Sequence, residues 1–359
     1  MLRRLGALMR RPRRRVVLLV LVLVAVVAGG GLLAWRLTRE EPTRLAAAVA
    51  LAPASTQRFG WTDWSAVRAE LGSEVSASSS TEELDALLAA AFDRDLASVS
   101  ALVESAPTLH TEFGFSPASL DWELFAQGAD GAVVFLGVGE DFDFAALRER
   151  LRAMGFEEPE SADGVWHGGV DLLEGLDGPV TPQLAALRLD EDADLLVSGD
   201  DAVFLGQVDE DARGDDDGVA AAAAAVGDAV SASVYTGDYT CAELSMSAAD
   251  PVDRTRAAEL IEAAGDINPV TGFAIAAQPG GAVRVAMGFE SAEQARKNAD
   301  SRSVLAAGPA PGQGGSFGDR FDLGRVAARD AVVTMDLTPI AGAWVLSDLN
   351  QGPVLFATC

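Results

Sequence analysis

Two histidines, two cysteines, two tyrosines and a single lysine are spread over 359 residues. His110, His167, Cys241 and Cys359 stand too far apart for any zinc-ligand spacing. The shortage of histidine also removes the serine-hydrolase template. "GGSFG", Gly314 to Gly318, fits G-x-S-x-G in form, but that elbow needs a strand before Ser316, a helix after it and a histidine later in the chain. Both histidines come earlier, and both flanks of Ser316 read as loop. Lys297 stands against 26 arginines, which together with abundant Ala, Gly, Val and Asp marks a high-GC coding sequence. No catalytic residue, cofactor site or metal ligand set emerges from these residue types.

Half of the chain is apolar (49%) and 23% is charged, a globular composition. The formal charge of −27 conceals an asymmetry: residues 1–40 hold nine arginines and one acid, whereas residues 41–359 hold 18 basic and 53 acidic residues, a net of −35. A body that acidic repels phosphate backbones, so nucleic acid is excluded as a partner.

Val16 to Trp35 is a run of twenty residues without a charge, about 30 Å long as a helix, which matches the hydrocarbon core of a bilayer. Seven arginines precede it, from Arg3 to Arg15, and by the positive-inside tendency they stay in the cytoplasm. Trp35 sits where an interfacial aromatic belongs. Val26-Val27-Ala28 offers a signal-peptidase site, but the apolar run continues past it, which favours a retained single-pass anchor with an extracytoplasmic body. Such a compartment permits disulfides, and the even pair Cys241 and Cys359 is expected to bridge.

The order of elements divides the remainder. Residues 1–15 read as a basic cytoplasmic segment, 16–35 as the transmembrane helix, 36–56 as a juxtamembrane linker, 57–207 as a first α+β lobe, 208–229 as an acidic, Ala-rich linker and 230–359 as a second lobe. Ser80-Thr81-Glu82-Glu83 is a capping box opening a helix with Leu84, Leu87, Leu88 and Ala91 on one face. "AVVFLGV" reads as a buried strand, and "FAALRERLRAMG" as an amphipathic helix closed by Gly155. "LAALRL" and "DLLVSG" form a hairpin about Asp190 to Ala193. The second half repeats this grammar: a strand from Ser231, a helix opened by Asp250-Pro251 and ended by Gly265, a hairpin around Pro279-Gly280-Gly281, a cap at Ser291, and the strand "RDAVVTMDL". Helices alternating with hairpins predict two lobes of antiparallel sheet with packed helices, each a ferredoxin-like plait.

"FGWTDW" carries two of six tryptophans. Asp63 caps a helix on which Trp64, Val67 and Leu71 share a face, ended by Gly72, and the similar phrase Asp121-Trp122-Glu123-Leu124-Phe125, closed by Gly128, predicts a second helix start. Both tryptophans then serve as packing anchors. Trp61, the less constrained neighbour, is the candidate ligand contact, for a sugar or a peptide.

Other motifs fall to their chemistry. "GVGEDF", Gly137 to Phe142, sits between a strand and a helix, but Phe142 replaces the third glycine of a dinucleotide loop and Glu140, Asp141 and Asp143 would face the phosphates. For calcium, Asp190, Asp192 and Asp194 alternate without the required glycine, while Asp209, Asp211 and Gly214 begin a loop in which Arg213 takes a ligand position and Ala220 replaces the bidentate Glu. A glycosidase-type carboxylate pair is set by the fold rather than by spacing.

"GVGEDFDFAALRERLRAMGFEEPESADGVWHG" resembles a pattern in uncharacterised membrane-anchored proteins and lipoproteins of high-GC Gram-positive bacteria: a strand, G-x-F-D, a helix with spaced leucines, then G-V-x-W on the next strand. The likeness runs from Phe115 to Leu205. It implies an extracytoplasmic envelope component and no catalytic residues, and the chain departs from the lipoproteins in having no cysteine after the apolar run. The function expected is therefore a non-catalytic binding domain, held to the membrane by one helix, whose partner is an envelope protein or glycan. The alternatives are an envelope hydrolase acting through a carboxylate pair and a calcium-stabilised structural ectodomain.

Overall fold

In the computed structural model, which describes residues 42–208, 212–214 and 218–359, the run Ala132–Gly137 and the run Gly272–Ala277 are buried along their whole length. An antiparallel strand with no exposed face must lie in a sheet covered on both sides. That sheet has eleven strands in the order β10-β11-β9-β8-β7-β1-β2-β3-β6-β5-β4. In chain order these are β1 (Thr56–Thr62), β2 (Trp122–Gly128), β3 (Ala132–Gly137), β4 (Val165–His167), β5 (Ala186–Asp190), β6 (Leu195–Gly199), β7 (Ser231–Thr236), β8 (Gly272–Ala277), β9 (Val283–Gly288), β10 (Phe321–Arg329) and β11 (Val332–Pro339). The principal helices are α1 (Arg44–Leu51), α2 (Trp64–Leu71), α3 (Thr81–Asp93), α4 (Phe144–Met154), α5 (Gly218–Val226), α6 (Pro251–Ala264), α7 (Ala292–Ala306) and α8 (Val345–Asn350).

The repeated grammar is real, but its product differs from the two lobes expected. In the first half β1, β2 and β3 form a meander, α4 carries the chain to the outer edge at β4, and β5 and β6 step back to pair with β3. In the second half β7, β8 and β9 do the same, α7 leads to edge strand β10, and β11 returns to β9. The halves fuse through antiparallel pairing of β1 with β7, Gly60 opposite Ser233 and Trp61 opposite Ala232. One continuous sheet replaces two. The ferredoxin-like plait is also corrected, because its split β-α-β units place another strand between the two that a helix joins, whereas here β1 and β2, joined through α2 and α3, are direct neighbours, as are β7 and β8, joined through α6.

One face of the sheet packs beneath α2, α3, α4 and α7, with Trp64, Val67, Leu84, Leu147, Leu151 and Ala295 buried against Val134, Leu136, Ile275 and Val285. The opposite face carries Phe59, Trp61, Leu124 and Phe135 in the first half and alanines 232, 274, 276 and 286 in the second. Those alanines admit α5, whose Ala222 and Ala223 are wholly enclosed. The approach is so close at one end that a Cβ on Gly272 would lie 2.1 Å from the Gly218 carbonyl oxygen. The alanine run assigned to a linker is thus a buried helix between the sheet and α1.

Local signals reappear as drawn. Ser80 and Glu83 form a reciprocal capping box on α3, Asp63 caps α2, Asp250 caps α6, and Gly72 and Gly155 end their helices in the left-handed region. Two expectations shift. The fold begins before Gln57, since Thr43 caps α1 and Leu45, Ala48 and Val49 are buried. The second Asp-Trp phrase is strand β2 rather than a helix, with Leu124 and Ala126 on one face and Glu123 and Phe125 on the other.

The basic segment 1–15, the expected membrane helix 16–35 and the aspartates at 209 and 211 lie outside the described residues. Among the described residues no helix is long and apolar enough to cross a membrane.

Candidate functional site

After α3 ends, residues 94–102 cross the sheet where the two halves meet. Their path is made by Gly60 at the centre of β1, where a Cβ would stand 2.5 Å from the Val99 carbonyl oxygen. Both ends of this strap are tied. Asp95 accepts from the Ser347 backbone N–H at 3.1 Å and from its hydroxyl, joining the strap to α8. At the other end Glu123 Oε1 accepts from Ala101 N–H at 2.9 Å while Oε2 accepts from the Trp64 indole at 2.9 Å.

Glu123 is fully enclosed, and burial pushes its carboxyl up to about 7 against the hydrogen bonds from Trp64, Ser100 and Ala101, which pull the other way. It shares a row with Thr62 and Ser231 on adjacent strands, whose buried hydroxyls find no partner among the described residues. The Glu123 side chain has no exposed surface. A general acid needs contact with substrate, so Glu123 is read as a tie for the strap.

The strap's first residues line a cavity of 240 Å3 together with Ala277, Gly281, Val283, Pro339, Ile340, Ala343, Trp344 and Leu346. Its rim is apolar and exposed. Phe92 (53%), Trp344 (39%) and Ile340 (38%) lie in the open, and the Phe92 and Trp344 rings meet edge to face with centroids 4.7 Å apart. Edge-to-face contact fixes both rings in place without covering them. Arg94, which lines the cavity, is paired with Glu70 at 2.8 Å, and Glu70 also accepts from Gly280 N–H at 3.1 Å, so the β8–β9 hairpin is tied to α2 beside the cavity.

Neither side chain was singled out in the sequence. Phe92 follows the last residue of the Leu84-to-Ala91 stripe, at the helix end, and Trp344 sits in the Ala- and Gly-rich stretch after β11. An aromatic placed where its element stops was the signal available.

Trp61, the candidate ligand contact, is enclosed at 1% exposure. Its indole donates to the Ala229 carbonyl at 3.0 Å and its ring stacks on Trp122 at 5.3 Å on the face opposite the strap, where it also lines a hollow of 210 Å3 with Thr43, Arg44, Asp63 and Pro279. Cys241 and Cys359 are joined by a disulfide with Cα atoms 5.5 Å apart. Ser316 is a cap that donates to the Gly308 carbonyl at 2.9 Å. His110 is held between Ser116 Oγ at 3.0 Å and the Ser79 carbonyl at 2.8 Å, and His167 pairs with Ala186 in the β4–β5 ladder. Two acids of the Asp190 turn are engaged: Asp190 accepts from Ala193 N–H and Glu191 pairs with Arg148. Among the described residues no group of three or more His, Cys, Asp or Glu is placed to hold a metal ion.

No family model and no curated protein matches the chain. Among solved structures, crystal forms I and III of TP0453 align at a TM-score of 0.36 and 6% identity, covering 89% and 87% of this chain and 100% and 98% of theirs.

Proposed function

We propose that this chain is a single-pass protein of the cell envelope whose acidic extracytoplasmic body binds a partner without catalysing a reaction. The observation that carries the reading is the Cys241–Cys359 disulfide, which belongs to an oxidising compartment. It agrees with the uncharged run Val16 to Trp35 behind an arginine-rich start and with the resemblance to envelope proteins of high-GC Gram-positive bacteria. The binding face is the cavity behind Phe92, Trp344 and Ile340. A rigid aromatic rim over an apolar hollow suits recognition, and its polar groups Arg94 and Asp95 are already engaged by the protein itself.

Location is tested in intact cells. Protease added outside should remove the body, and denatured protein should show no free thiol until a reductant exposes two. Protection from the protease, or two thiols reactive without reductant, would overturn the reading.

A further inference from the structure

Resting on that reading of the cavity, the geometry points to its occupant, and we propose that the Phe92–Trp344–Ile340 rim receives a cationic segment of another protein that inserts one aromatic or branched aliphatic side chain.

Size comes first. Small-molecule pockets run from roughly 300 to 1,000 Å3, whereas this hollow measures 240 Å3. It has room for a side chain. Interface hot spots are built in that way, as a snug pocket that takes one anchor while surrounding apolar groups exclude water.

Chemistry comes second. A sugar needs a fan of free donors and acceptors beneath its ring, yet of the polar side chains lining the cavity both Asp95 oxygens are engaged by Ser347, and Arg94 is drawn aside to Glu70 through one of its nitrogens. The remaining polar liner is Asp93, which is exposed. An apolar side chain asks nothing of such walls beyond contact, and the ring edges of Phe92 and Trp344 supply it.

Charge decides between protein partners. Around the cavity stand the exposed Asp93, the buried Asp95 and Glu70, which is paired with Arg94, on a body in which residues 41–359 carry 18 basic and 53 acidic residues. A second copy of this chain would bring the same negative field, and so would an anionic lipid surface. Both are repelled at the distances over which encounter is steered, whereas a lysine- or arginine-rich segment is drawn in. The patch itself is the place for such a contact: Phe, Trp and Ile are exposed here, while the other large apolar side chains in the open among the described residues are Leu51, Val170, Val203, Val252 and Val304.

The experiment places the photo-crosslinking residue benzoylphenylalanine at Phe92 of the full-length protein in its own cells, with the exposed position Val252 as the comparison site. After irradiation the crosslinked segment is mapped by mass spectrometry. The expected result is a protein adduct at position 92 whose attached segment has a net positive charge and an aromatic or branched aliphatic residue at the junction. Its yield should fall at least tenfold in Trp344→Ala and in 0.5 M salt. Ile340→Asp, at a residue already exposed, should act likewise, and melting temperatures of both variants show whether the fold has survived. An adduct on glycan or lipid, a mapped segment of negative or zero net charge, a second copy of this chain, or a yield no higher than at Val252 would each overturn the inference. External protease applied to the same cells separates the two failures. A body that is digested yet gives no adduct sinks the docking inference alone, whereas a protected body sinks the envelope reading.

Discussion

The indole N–H of Trp64 donates to Glu123 across 2.9 Å in the middle of the sheet, and no cation contributes to the balance at this carboxyl. The folded protein therefore prefers Glu123 protonated, at about 7, against an ordinary value of 4.5. Because the folded pKa lies above the unfolded one, the folded state keeps a proton that the unfolded chain gives up as pH rises from 4.5 to about 7. Stability from this group is fully present below pH 4.5 and is lost across that window, by about 3 kcal/mol. Above the window it is flat.

Glu123→Gln should remove this slope. The amide offers one acceptor where the carboxyl offers two, so one of the donors, Trp64 Nε1 or Ala101 N–H, loses its partner, at about 1–2 kcal/mol. The variant is therefore less stable than wild type at pH 5, and the gap narrows or reverses by pH 8. Urea unfolding of both proteins at the two pH values measures it. Parallel pH profiles would show that Glu123 does not titrate in the window.

Trp61→Ala separates core from contact. An enclosed tryptophan stacked on Trp122 and bonded to Ala229 should cost about 3–5 kcal/mol when truncated. Trp61→Phe keeps the ring and removes the donor, costing less. Crosslinking from position 92 should be unchanged in the phenylalanine variant at a temperature where it is folded, because Trp61 lies on the other face of the sheet. A loss of crosslinking with an unaltered melting temperature would identify Trp61 as a ligand contact.

The contrast between the two Asp-Trp phrases shows where sequence reading stops. Asp63-Trp64 opens a helix and Asp121-Trp122 runs into a strand, although each has a cap residue, an aromatic and a closing glycine. What separates them is pairing: β2 is held between β1 and β3, and its alternation puts Leu124 and Ala126 on one face, Glu123 and Phe125 on the other. Features completed within four residues, such as the Ser80–Glu83 box and the cap at Asp250, were legible because their partners are adjacent. The fusion of the halves depends on β1 meeting β7, and the cavity on Asp95 meeting Ser347 across 252 positions. No local pattern encodes those meetings. The disulfide was legible for a different reason, as two cysteines allow a single intramolecular pairing.

Gly60→Ala tests whether the strap depends on the missing side chain. The new Cβ would lie 2.5 Å from the Val99 carbonyl oxygen, a backbone atom that cannot rotate aside. Either the strap lifts or β1 shifts, and overpacking of this kind costs about 1–3 kcal/mol. Hydrogen exchange distinguishes the two responses. Faster exchange at Ala101 N–H with β1 protection intact means that the strap has lifted; uniform loss across β1 and β7 would mean that the sheet itself gives way.

The end of the chain is held by Cys359 to Cys241, by the Thr358 hydroxyl oxygen, which accepts from Met246 N–H at 3.1 Å, and by Arg302, which donates to the Phe356 carbonyl. Arg302 is wholly enclosed. Its guanidinium also donates to Asn298 and Asn268, lies over the Phe289 ring at 5.3 Å, and is lowered by burial to about 9, so it stays charged at neutral pH. Removing the disulfide in the Cys241→Ser, Cys359→Ser protein frees a loop with a sequence separation of 118, worth about 4–5 kcal/mol on the chain-entropy account. Arg302→Lys keeps the charge but cannot reach three acceptors from a single nitrogen in the same plane, and should cost about 2–3 kcal/mol. Because the disulfide and Arg302 act on the same segment, their effects should couple. Once the disulfide is gone, the last residues can fray from Arg302 at modest cost, so the arginine substitution should then hurt less than it does in the oxidised protein. A double-mutant cycle by urea unfolding reads this directly. Strict additivity would mean that Arg302 stabilises the α7 region through Asn268 and Asn298 alone, and that its bond to Phe356 does not help to hold the terminus.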